Sequence, residues 1–271
     1  MTALDDLFTR TRAEGRAALV GYLPAGYPSV DGAIEAARAM VEGGVDAVEI
    51  GLPYSDPLLD GPTIQRAVDA ALSQGVTTDD VLHTIEQVSA TGTPTLVMSY
   101  WNPIERYGVQ RFATALAEAG GVGAITADIT PEEAGAWIDA SEAHGLNRVF
   151  LVAPSSTDAR IAFTTGVATG FVYVAAVMGV TGARDQVGPS AQALVERTRA
   201  LTSKPLCVGL GVSTGAQAAE VARYADGVIV GSAFVRRLID AQSFEQGVAA
   251  VRELAVELAA GVRASRRETV G

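Results

Sequence analysis

The chain has 271 residues, 48% of them hydrophobic, which is enough for one large α/β barrel or two ordinary domains with a substantial core. Its net charge of −11 argues against a nucleic-acid or anionic-membrane surface, because both need basic patches. A single cysteine, Cys207, excludes an intramolecular disulfide. The opening residues MTALDDLF lack the basic and apolar regions of a secretory signal, and no apolar run approaches the roughly 20 residues of a membrane span. A soluble, cytoplasmic chain is the expectation.

Thr2–Glu14 predicts a short helix with Leu4, Leu7 and Phe8 on one side. Apolar runs then recur at Ala17–Leu23, Val45–Gly51, Pro94–Ser99, Val122–Asp128, Arg148–Ala153, Gly170–Val177, Pro205–Leu210 and Asp226–Val230. Helical apolar spacing fills Val30–Glu42, Val109–Ala119, Glu132–Ala143, Ala191–Leu201 and Ala216–Tyr224, and more weakly Val81–Ala90 and Asp158–Ala168. Successive runs lie roughly 30 residues apart, the length of a βα unit. Buried parallel strands read as near-continuous apolar runs, as these mostly do. The pattern predicts a single (β/α)8 TIM barrel over residues 1–271 with an extra N-terminal helix; a doubly wound open sheet is the rival. The polar end, Arg263–Gly271, predicts a frayed tail from about residue 264. Two long strand-to-helix loops, Leu52–Gly61 and Met178–Pro189, fall on the face where barrel active sites lie.

Val45–Gln65 carries the most chemistry. Strand alternation puts Ala47, Glu49 and Gly51 on one face and Val48 and Ile50 on the other. An inward glutamate near the C-terminal end of a barrel strand meets the ligand cavity, and apolar walls raise its pKa toward neutrality. The alternative is a carboxylate neutralised by a structural partner. Asp60 stands before Gly61-Pro62-Thr63, where a helix can begin with proline at its first position. It is either a cap or turn residue or a rim carboxylate that meets developing positive charge. Asp56, in Ser55-Asp56-Pro57, reads as turn chemistry or a partner contact.

Three glycine-bearing turns follow the last three strands: Gly179-Val180-Thr181-Gly182, Gly209-Leu210-Gly211-Val212-Ser213 and Gly231-Ser232. Glycine lets backbone amides close on an anion, and a helix N-terminus adds its dipole. Arg184 is the only basic residue beside them, so a phosphate held mainly by amides is expected. Tyr173 shares a strand face with Phe171 and Ala175, while Tyr22 and Tyr100 stand near the ends of the first and third strands. Each suits either an aromatic pocket or plain core.

Some chemistries are excluded. The sole lysine, Lys204, precedes the seventh strand at the wrong end of the barrel for a Schiff-base aldolase. His83 and His144, the only histidines, lie in helical patterns away from the strand C-termini, which removes a histidine zinc site. No P-loop or nucleophile-elbow motif occurs. A phosphate-bearing small molecule, proton transfer by carboxylates and no cofactor remain.

EIGLPYSDPLLDGPTIQ, from Glu49 to Gln65, resembles the signature of the tryptophan synthase alpha subunit family. GYLPAGYPS, MSYWNPIERYG, ADITPEEA, FVYVAAVMGVTGAR, GLGVST and ADGVIVGSAFV follow in family order, so the resemblance spans essentially the whole chain. It implies a (β/α)8 barrel that cleaves indole-3-glycerol phosphate to indole and glyceraldehyde 3-phosphate in tryptophan biosynthesis. On that resemblance Glu49 matches the catalytic glutamate and Asp60 the aspartate facing the indole nitrogen. Tyr173 matches a tyrosine near the glycerol phosphate, and Thr181 the threonine of the mobile loop after strand six. Gly182, Gly211, Gly231 and Ser232 match the phosphate-binding turns, and Tyr22, Met98, Tyr100 and Ile125 the indole pocket. The resemblance also implies a beta-subunit partner in an alpha2-beta2 heterotetramer, with pyridoxal phosphate in that partner only. Pro53-Tyr54, Pro57-Leu58-Leu59, Trp101 and Pro103-Ile104 would suit the docking. Leu59, Ile129-Thr130 and Met178 depart from the family pattern without touching either carboxylate. Two alternatives are a regulatory partner that has lost turnover and another phosphate-binding barrel isomerase.

Overall fold

The computed structural model describes residues 2–175, 189–209 and 211–265. Its strands are β1 (Ala18–Pro24), β2 (Ala47–Gly51), β3 (Thr95–Ser99), β4 (Gly123–Thr126), β5 (Asn147–Val149), β6 (Leu151–Val152), β7 (Val172–Ala175), β8 (Leu206–Gly209) and β9 (Gly227–Val230). They form one parallel sheet in the order β5-β4-β3-β2-β1-β9-β8-β7-β6. The two end strands are halves of one segment. It breaks at Phe150, whose carbonyl still accepts the Tyr173 N–H at 3.0 Å. One half pairs with β4 and the other with β7, so the sheet closes on itself through residues 147–152. The molecule is therefore a parallel (β/α)8 barrel, with the expected fifth strand split in two.

Alternation sorts the strands' side chains into two cores. Ala18, Val20, Ala47, Leu96, Ile125, Val149, Phe171, Cys207 and Ile229 fill the barrel interior. Leu19, Leu23, Val48, Ile50, Val97, Val208 and Val228 pack outward under the helices. The first helix, Ala3–Ala13, starts with a capping box in which Thr2 and Asp5 satisfy each other's amides. It places Leu4, Leu7 and Phe8 in the interior core, and Phe8 meets Phe171 edge-on at 5.9 Å. Phe171 precedes β7, so this helix seals the N-terminal end of the barrel.

Two aspartates hold the strand starts at the same end. Asp46 accepts the Leu19 N–H at 2.9 Å and pairs with the Arg16 guanidinium through both its oxygens. Asp226 accepts the Leu206 N–H at 2.8 Å and pairs with Arg199. Both carboxylates are thus structural.

Several expectations need correction. Trp101–Tyr107 is a helix that the apolar pattern does not predict. The last helix, Phe244–Ala264, includes Arg263 and Ala264, and Ser265 is buried. The polar tail expected from about 264 therefore lies, from residue 266, outside the described residues.

Candidate active site

The C-terminal mouth of the barrel gathers the residues that the sequence singles out. Glu49 and Tyr22 are paired across β1 and β2, so their side chains leave the wall together. One level higher, Gly51, Met98 and Ile125 form a row across β2, β3 and β4. Tyr173 faces inward from β7 beside Cys207 of β8. A side chain at Gly209 would meet its hydroxyl at 2.1 Å, so glycine there is what leaves the ring its place.

Glu49 is 2% exposed, and its Oε1 has no hydrogen-bond partner. Among the described residues no counter-charge offsets the loss of water, and burial pushes its pKa from 4.5 up to about 8. The alternative of a structurally neutralised carboxylate finds no partner among the described residues, where Arg16, Arg148 and Arg199 are engaged elsewhere. A stability consequence follows. Below about pH 4.5 the group is protonated whether the chain is folded or not. Between about 4.5 and 8 the unfolded chain loses that proton while the folded chain keeps it. Folding stability therefore falls as pH rises through this window, by about 1.4 kcal/mol per unit and about 5 kcal/mol in all. Urea midpoints of wild type and Glu49→Gln should diverge in the variant's favour between pH 5 and pH 8.5. Parallel midpoints would mean that the site is wetter or better paired than described.

Asp60 ends the loop after β2 and is 6% exposed. It is not a helix cap: the helix Pro62–Ser73 starts at Gly61 with no side-chain cap bond. The Tyr100 hydroxyl donates to Asp60 Oδ1 at 3.2 Å and accepts the Leu59 N–H at 3.0 Å. Burial raises the Asp60 pKa above its ordinary value, and the Tyr100 bond pulls it part of the way back. Burial, with the Asp60 charge beside it, in turn holds the Tyr100 phenol protonated. The Gln65 side chain donates to the Asp60 carbonyl at 2.7 Å, and Asn102 donates to the Tyr54 hydroxyl at 3.1 Å. The rings of Tyr54 and Tyr100 lie 5.5 Å apart. These bonds tie the long acidic loop to the start of the Trp101–Tyr107 helix. The roles of Gln65 and Asn102 are not visible in the sequence. Only the position of Gln65 in the first turn after Gly61-Pro62 hints at its contact.

The late glycine turns differ from one another. Gly211 has φ +66°, a left-handed conformation that suits glycine. The helix behind it, Gly215–Ala222, has its start already occupied. Glu257 accepts the Gly215 N–H at 2.7 Å, Gln217 accepts the Ser213 N–H at 2.8 Å, and Thr214 caps Gln217. By contrast the helix Ser232–Asp240 begins at Gly231 with no side chain capping it, and Ser232 is buried. Uncapped first-turn amides attract an anion. Thr181, Gly182, Met178 and Arg184 lie outside the described residues.

Of the apolar docking candidates, Ile104 is fully buried and Pro53 is buried, so both belong to the core rather than to a surface. Leu58 is 67% exposed, while Trp101 is half-buried and its backbone N–H donates to Asp128 at 2.7 Å. Among the described residues no group of three or more His, Cys, Asp or Glu could hold a metal ion. No described helix is long and apolar enough to cross a membrane.

Comparison with known proteins agrees over nearly the whole length. The family model described as tryptophan synthase alpha chain matches residues 8–263. The tryptophan synthase alpha chain of Thermobifida fusca is 58% identical over 270 residues, covering 98% of this chain and all of the relative. That of Acidothermus cellulolyticus is 60% identical over 263 residues, covering 97% and 98%. A solved structure of Mycobacterium tuberculosis tryptophan synthase superposes with a TM-score of 0.91 at 53% identity, covering 97% of this chain and 98% of that one. The alpha subunit from Legionella pneumophila gives 0.89 at 33% identity, covering 97% and 98%. A closed parallel barrel, two buried carboxylates at its mouth and this agreement lead to one conclusion: the chain belongs to the tryptophan synthase alpha chain family.

Proposed function

We propose that Glu49 and Asp60 carry out the reaction of this carbon–carbon lyase family, the retro-aldol cleavage of indole-3-glycerol phosphate. A neutral Glu49 carboxyl gives its proton to indole C3. The ring becomes a cationic imine-like system, and the ionised Asp60 stabilises that charge through the ring N–H. The Glu49 carboxylate then takes the proton of the hydroxyl beside the scissile bond. The O–H electrons form the aldehyde carbonyl, and the C–C electrons return to the ring. Indole and glyceraldehyde 3-phosphate leave, and Glu49 is again protonated. One group serves both transfers because its pKa of about 8 lies near working pH.

Met98, Ile125, Tyr100 and Tyr22 hold the ring in this reading, and Tyr173 stands near the glycerol chain. Gly211, Gly231 and Ser232, with Gly182 and Thr181 beyond the described residues, receive the phosphate. Of these the uncapped start of Ser232–Asp240 is the best supported anchor. Anchoring there supplies positioning energy remote from the chemistry. The partner is a beta subunit in an alpha2-beta2 assembly, met by the face that carries Leu58. Pyridoxal phosphate belongs to that partner. Lys204, the only lysine, donates to the Thr165 and Ala168 carbonyls at the sealed end of the barrel, far from any ligand. The protein works as a single cytoplasmic domain.

The observation that carries this reading is a buried carboxyl without a partner beside a second carboxylate oriented by a tyrosine. Its test is indole release from indole-3-glycerol phosphate by the purified chain, alone and with the beta subunit. Release in either setting is expected. None in both would leave a regulatory subunit without turnover.

A further inference from the structure

Tyr22 has one feature that a ring-holding role does not use. It is 7% exposed, yet among the described residues its hydroxyl meets no hydrogen-bond partner. Its place is built with care. A side chain at Gly51 would meet the hydroxyl at 2.3 Å, and one at Gly231 would meet the ring at 3.0 Å. Gly51 at the end of β2 and Gly231 just after β9 therefore make room for the phenol. A donor at the barrel mouth with no protein acceptor is free to serve a ligand there.

We infer that the Tyr22 hydroxyl donates a hydrogen bond to the substrate oxygen beside the scissile bond, the hydroxyl that becomes the aldehyde carbonyl. This deepens the reading above and rests on it. The ligand's atoms narrow the choice. The ring N–H is itself a donor, so it cannot receive the phenol's proton. The phosphate belongs with the uncapped helix start after β9. Asp60 Oδ1 already takes the Tyr100 hydroxyl, and its second oxygen is needed for the ring N–H. The glycerol oxygens remain. The one Glu49 deprotonates is the natural choice, because Tyr22 and Glu49 stand at paired positions on adjacent strands.

The bond strengthens as the reaction proceeds. When Glu49 takes the proton, the substrate oxygen becomes an acceptor only and gains electron density before the C–C bond is fully broken. A fixed donor stabilises that point more than the ground state. Tyr22 gives up no proton. Burial, together with the charges of Asp60 and Glu49, pushes its ionisation well above that of a free phenol. It is a donor throughout and takes no part as a base.

The test compares wild type and Tyr22→Phe with two ligands, indole-3-glycerol phosphate and indole-3-propanol phosphate, which lacks both chain hydroxyls. The phenylalanine keeps the ring, so folding and ring packing are preserved. A neutral hydrogen bond of this kind corresponds to a roughly tenfold fall in kcat/KM, expressed mainly in kcat. The dissociation constant of the propanol analogue should stay within about twofold. Equal losses for both ligands would assign the hydroxyl to Asp60 or to the ring and overturn the inference. Unchanged cleavage in the variant would overturn it too, while wild-type turnover kept the lyase reading intact. A wild type that releases no indole brings down both.

Discussion

Glu49→Gln will fold, bind indole-3-propanol phosphate and fail to release indole, with kcat reduced by roughly 10³-fold or more. Glutamine matches the side chain in size, so the barrel wall is undisturbed. It has no proton to give at C3 and no basic oxygen to take one from the glycerol hydroxyl. Both transfers pass through this one carboxyl, so the variant loses two acid–base contributions at once. Asp46 and Asp226 cannot replace it, because they are bound at the far end of the barrel, and Asp60 already takes the Tyr100 hydroxyl. Single-turnover mixing with excess enzyme separates chemistry from product release. A rate within tenfold of wild type would remove Glu49 from the mechanism.

Asp60→Asn will cost about 10²- to 10³-fold in kcat, with a much smaller change in affinity for the same analogue. An asparagine oxygen still accepts from the ring N–H, but it carries no charge to meet a ring that turns cationic. The loss therefore falls on the chemical step. The two carboxylates also separate by pH. In wild type kcat/KM should rise with pH as Asp60 ionises, above the usual aspartate range because burial raises its pKa. It should fall again near pH 8 as Glu49 loses the proton it must deliver. These limbs belong to the coupled pair rather than to either residue alone. The asparagine variant should lose the rising limb and keep the falling one. A profile with both limbs intact would separate Asp60 from the acid side.

Much of this arrangement is legible in the sequence, for a physical reason. Alternation is a local rule, and it places Glu49 inward as soon as Val45–Gly51 is taken as a strand. The helix start after Asp60 is equally local, marked by Gly61-Pro62. What escapes is long-range. Tyr100 lies 40 residues from Asp60 in the chain, and nothing in its neighbourhood announces their bond. The break at Phe150 depends on which neighbour each half-strand reaches, so an unbroken apolar run conceals it. Ile104 and Pro53 look like surface because they follow strand ends on the catalytic face, yet the fold turns them inward. The short helix Trp101–Tyr107 contains Asn102-Pro103 and only two turns, too little for periodicity to register.

The N-terminal helix has a bearing on the chemistry at the far end. Leu4, Leu7 and Phe8 stopper the barrel from below with hydrocarbon. In the proposed mechanism residue 49 reaches bulk water through the doorway at the opposite mouth, where the ligand stands. While the doorway is filled, a hydrogen picked up from one product fragment has no exit except onto the other or, later, onto the next molecule to enter. The cycle becomes self-replenishing: what one turnover deposits, the following one spends. A leaking floor would force the carboxyl to re-equilibrate with solvent each round, so three greasy side chains at the foot help a lone acid serve twice.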